Sequence, residues 1–115
     1  MIDTAEIKKL LPLEEDFLFR SLEKDSSFQA FGSAPGNDGD GEFARSFFQS
    51  KMTEMRKQLC GLSAVQKHIT DSDSVIDDEL ICAVADVVLL FIGGVPAVYV
   101  VALALKKGFK KICTE

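Results

Sequence analysis

The chain has 115 residues, 47 % of them hydrophobic, and a formal net charge of −5. That length suits one domain, residues 1–115, which buries roughly two-thirds of its unfolded surface and so builds one core without staples. The acidic balance argues against a nucleic-acid binder, because neutralising phosphates needs clustered Lys and Arg.

"DTAEIKKLL" opens the chain with Asp3 followed by Glu6, a capping-box start. Pro12 ends that helix or begins the next, where its missing N–H costs nothing. In "LPLEEDFLFRSLEKD" the acids Glu14, Glu15 and Asp16 occupy a first turn, where the helix dipole favours negative charge. Leu13, Phe17, Leu18 and Leu22 form its apolar face. Phe28 and Phe31 are placed to pin a short turn, and the Gly/Asp-rich residues 32–41 read as a flexible loop.

"EFARSFFQSKMTEMRKQLCG" is the clearest amphipathic helix. Ala44, Phe48, Met52, Met55, Leu59 and Leu62 follow helical spacing, and Arg45, Gln49, Glu54, Arg56 and Lys57 fall largely on other faces. Gly61 is expected to cap it, and Ser63 to cap a short helix "AVQKHI". Ser74 and Asp77 then make a second capping-box pattern, which opens a helix over Val75–Ile92. Gly93 and Gly94 stop it, Pro96 starts a helix that runs to Lys107, and Gly108 with Phe109 resembles a C-cap with its hydrophobic partner.

Residues Val87 to Leu105 carry no charge. As one helix they would reach ~28 Å, close to the ~30 Å hydrocarbon core of a bilayer. The "GGVP" in the middle, the caps on both sides and the lack of interfacial aromatics favour two helices inside a soluble domain. Ala85, Val88, Leu89, Ile92, Val98, Val101 and Leu105 are then expected to be buried. The fold class is therefore all-α: a bundle of five to six helices with a very apolar C-terminal hairpin at its centre.

No catalytic signature is present. "GNDGDGE" offers Asp38, Asp40 and Glu42, but Gly36 and Phe47 occupy positions where a calcium loop needs acids. Neither "GSAPG" nor "GGVP" continues as a phosphate loop. A Cys60–His68 pair lacks a third orienting group, and zinc wants four ligands. The expectation is a non-enzyme with no metal or cofactor. Cys60, Cys82 and Cys113 are odd in number with no C-x-x-C pair, and the N-terminus lacks a signal-peptide pattern. These features predict free thiols and a cytoplasmic protein.

The charge is polarised: up to Glu42 there are ten acids and four bases, whereas "KKGFKK" places Lys106, Lys107, Lys110 and Lys111 together. With apolar residues committed to the core, the candidate partner-binding residues are Glu14, Glu15, Asp16, Lys106, Lys107, Lys110 and Lys111. The expected role is a small soluble helical interaction module, an adaptor or regulatory domain that binds a protein partner or a second copy of itself. The alternative is a membrane-active protein that inserts residues 81–105, with the lysine tail at the lipid surface.

Overall fold

The computed structural model describes residues 4–24, 42–70, 76–92 and 95–114. These residues form seven helices and no strand: α1 (Thr4–Leu10), α2 (Glu15–Lys24), α3 (Glu42–Cys60), α4 (Ser63–Thr70), α5 (Asp78–Phe91), α6 (Val95–Lys107) and α7 (Phe109–Thr114). The expected loop at 32–41, Phe28, Phe31, and the Asp3, Ser74, Gly93 and Gly94 signals lie outside the described residues. The helix count exceeds the expected five to six because the chain resumes a helix after Gly108 instead of ending there.

α6 carries the longest unbroken buried run among the described residues. Every residue from Val100 to Leu105 is buried, as is Ala97, so the helix is covered on all sides. Its neighbours are α1, α2, α5 and α7. The uncharged run is not one helix. α5 ends at Phe91, and Ile92 turns extended with φ −137° and ψ 125° while its N–H donates to the Val88 carbonyl. Among the described residues no helix is long and apolar enough to cross a membrane.

α5 begins later than its sequence signals suggest. Asp77, not Ser74, is the N-cap: its backbone is extended and its carboxylate accepts the Leu80 N–H at 2.9 Å. The buried face of α5 is Leu80, Ile81, Val84, Ala85, Val87 and Val88. Ala85, Val88, Ile92, Val101 and Leu105 are buried as expected, and Val98 is half-buried. Leu89 is a correction. It is 36 % exposed and Leu90 is 75 % exposed, because both rotate onto the outer face that carries Cys82 and Asp86.

The stripe on α3 packs as read: Ala44, Phe48, Met52, Met55 and Leu59 are buried and Leu62 is half-buried. On α2 the inward face is rotated from expectation. Leu18, Phe19, Leu22 and Glu23 are buried, while Phe17 is 55 % exposed. Phe19 meets Phe48 edge-on at 5.8 Å, which fixes that rotation. Glu23 is inside because its Oε2 accepts the Ala44 N–H at 3.0 Å, giving one donor at the start of α3 a partner from another helix.

The free-thiol expectation fails for two of three cysteines. Cys60, the last residue of α3, forms a disulfide with Cys113 on α7 across 53 residues of sequence, with Cα atoms 5.8 Å apart. Cys82 keeps an exposed thiol. The sequence holds no local sign of the pairing, which arises only when α7 packs against α3 and α4.

Gly108 has φ +89°, its N–H donates to the Ala104 carbonyl, and Phe109 beyond it is buried. This is the C-cap geometry its position suggests. A Cβ added there would meet no atom within 4 Å, so only backbone strain opposes a side chain. Gly108→Ala should lower stability by about 1–2 kcal/mol, read as a shift of the urea midpoint. An unchanged midpoint would mean that the turn does not need a left-handed residue.

Candidate functional site

α3 presents Gln49, Met52, Thr53 and Arg56 at helical spacing along one flank. Opposite stand Lys107, at the end of α6, and Lys111 and Ile112 on α7. Gly108 divides this wall: its left-handed backbone ends α6 at Lys107, and α7 begins at Phe109. Between the walls lies a cleft of about 410 Å³, to which Phe48 also contributes. Phe48 and Met52 are buried and Ile112 is half-buried, so the floor is apolar.

Three cations line the cleft, Arg56, Lys107 and Lys111, and among its described lining residues there is no carboxylate. In a chain with a net charge of −5 this concentrates positive potential in one concave place. Lys107 is positioned by Glu15, whose Oε1 lies 3.6 Å from Nζ, and sits 6.0 Å from the Phe48 ring centroid. A smaller hollow of about 230 Å³ adjoins it, where Asp16 pairs with Arg45. Arg45 in turn stacks 4.9 Å above the Phe19 ring. The cleft therefore has a positioned lysine at one end and two further cations, Arg56 and Lys111, on facing walls.

The arrangement suits reversible capture of an anionic group. A guanidinium presents a planar fork to a carboxylate or phosphate, and the lysines supply point charges. Gln49 and Thr53 add polar atoms at the rim. Among the described residues no group of three His, Cys, Asp or Glu side chains is arranged to hold a metal ion.

Of the residues singled out from sequence, Lys107 and Lys111 line the cleft, and Glu15 and Asp16 line the adjoining hollow, which Lys107 shares. The acidic first turn of α2 and the basic end of α6 meet within one molecule through the Glu15–Lys107 pair. Glu14 and Lys110 are exposed and do not line the cleft. Lys106 points elsewhere: its Nζ donates to the Leu11 carbonyl at 2.8 Å, satisfying an acceptor just past the C-terminal end of α1. Arg45 and Arg56 were not singled out from sequence as partner residues. Their signal was present in the polar spacing Arg45, Gln49, Thr53, Arg56, which reads as a solvated face until α7 is placed opposite.

Comparison with protein-family models, with curated proteins and with solved structures returns no match.

Proposed function

We propose that this chain is a small helical interaction module, an adaptor or regulatory domain, that captures an acidic segment of a protein partner in the α3–α7 cleft. In this reading α5 and α6 form the apolar hairpin at the centre of the bundle, the protein works in the cytoplasm, and it is not an enzyme. The observation that carries the reading is the meeting of Arg56, Lys107 and Lys111 over an apolar floor in an otherwise acidic chain. An acidic peptide with an interspersed apolar side chain complements both properties. Self-association through the α2 acids has less support, because Glu15 and Asp16 already have partners within the molecule.

A second reading, association with a membrane surface, has one observation on its side: Leu89 and Leu90 project from the end of α5.

The test is fluorescence polarisation with a labelled peptide that alternates Glu or Asp with Leu or Phe. The expected result is binding that weakens as salt rises. The double variant Arg56→Glu/Lys111→Glu should weaken it at least about tenfold, equal to about 1.4 kcal/mol. Equal binding of a Lys-rich peptide, or indifference to the double variant, would contradict the proposal. Sedimentation with anionic vesicles, in the absence of peptide binding, would instead support the membrane reading.

A further inference from the structure

The second wall of the cleft is a weak element in isolation. α7 has six residues, too few to persist as a helix without tertiary anchors. Two anchors flank its cleft-facing residues, and Ile112 between them packs half-buried against the core. Phe109, its first residue, is 1 % exposed in the core, and Cys113, near its end, is bonded to Cys60 at the end of α3. Lys111 and Ile112, the α7 residues that face Arg56 across the cleft, lie between these two points. The anchors differ in kind: Phe109 is a permanent hydrophobic contact, whereas the disulfide can be opened chemically.

We propose that the Cys60–Cys113 disulfide gates the cleft, which is complete only in the oxidised protein. This rests on the cleft being the partner site. Both cysteines are half-buried, so the pair lies outside the fully enclosed core. The chemistry is exchange with a dithiol reductant. One of its thiolates attacks a sulfur of the pair, a mixed disulfide forms, and its second thiol displaces the protein sulfur. The reductant leaves as a disulfide, and Cys60 and Cys113 each gain a hydrogen, two electrons and two protons in total. The reverse step uses a disulfide oxidant such as oxidised glutathione. In a reducing cytosol the dithiol is the resting form, and disulfides that do form there are commonly transient or redox-sensing. Opening the bond releases the far end of α7, while Phe109 keeps its near end docked. Lys111 and Ile112 then lose their fixed place opposite Arg56, and the cleft loses one cation and part of its floor.

The experiment uses the full chain with Cys82→Ser, so that only the pair can exchange. Affinity for the acidic peptide and amide hydrogen exchange across α7 are measured after oxidised glutathione and after dithiothreitol. The expected result is at least about tenfold weaker binding on reduction (a free-energy change of about 1.4 kcal/mol). Faster exchange confined to residues 109–114 and a preserved cooperative melt should accompany it. Cys113→Ser should match the reduced protein under both conditions. Equal affinity in both redox states, or unchanged α7 exchange, overturns the gate and leaves the cleft reading standing. Loss of the cooperative melt on reduction also overturns it, since the bond would then be a structural staple. No binding by the oxidised protein overturns the cleft reading, and the gate with it.

Discussion

Leu103→Ala should cost about 2–5 kcal/mol in urea unfolding. Leu103 is fully buried on α6, between Val100–Ala102 and Ala104–Leu105, which are buried too. A truncated side chain there leaves a cavity with walls on every side, and close-packed neighbours relax only partly to fill it. The same deletion at Leu90, which is 75 % exposed, should stay within about 0.5 kcal/mol. The contrast between two leucines of one uncharged stretch is the informative quantity. A Leu103 cost below about 1 kcal/mol would mean that α6 is not enclosed, and would restore the possibility that residues 87–105 exist to meet lipid.

Reducing the Cys60–Cys113 bond should lower stability by about 2–4 kcal/mol, the usual contribution of a disulfide. The bond joins residues 53 apart, a long loop whose closure removes much freedom from the unfolded chain. Domains of this size are stable by about 5–15 kcal/mol, so the reduced protein should remain folded with a lower urea midpoint. The check is urea unfolding of the Cys82→Ser protein with and without reductant. A midpoint indifferent to reductant would indicate that the two thiols are not joined in solution.

The helices were legible in sequence wherever local chemistry decides them. The α3 stripe from Ala44 to Leu59 and the Gly108–Phe109 cap are patterns between residues a few positions apart, and both fold as their spacing implies. Errors arose where a distant neighbour decides. Phe17 and Leu89 fit helical faces, yet packing turned each outward: Phe19 took the place against Phe48, and Ile81, Val84, Ala85 and Val88 took the inner side of α5. α5 starts at Asp78 because Asp77 before it takes the extended N-cap backbone and its carboxylate accepts the Leu80 N–H. The disulfide and the Lys106–Leu11 hydrogen bond join residues 53 and 95 positions apart, beyond any motif. The cleft was half legible. Its lysines were visible as a charged tail, whereas Arg56 belonged to a polar face until α7 stood opposite.

In the proposed function a partner binds in the α3–α7 cleft. Backbone amide shifts of the isotopically labelled, oxidised protein, followed by NMR as the acidic peptide is titrated in, test it most directly. The expected result is saturable perturbation centred on Gln49, Thr53, Arg56, Lys107 and Lys111, with the exposed face of α5 around Asp86 to Leu90 unmoved. Perturbation centred on Leu89 and Leu90, or none at any residue at low salt, would contradict it.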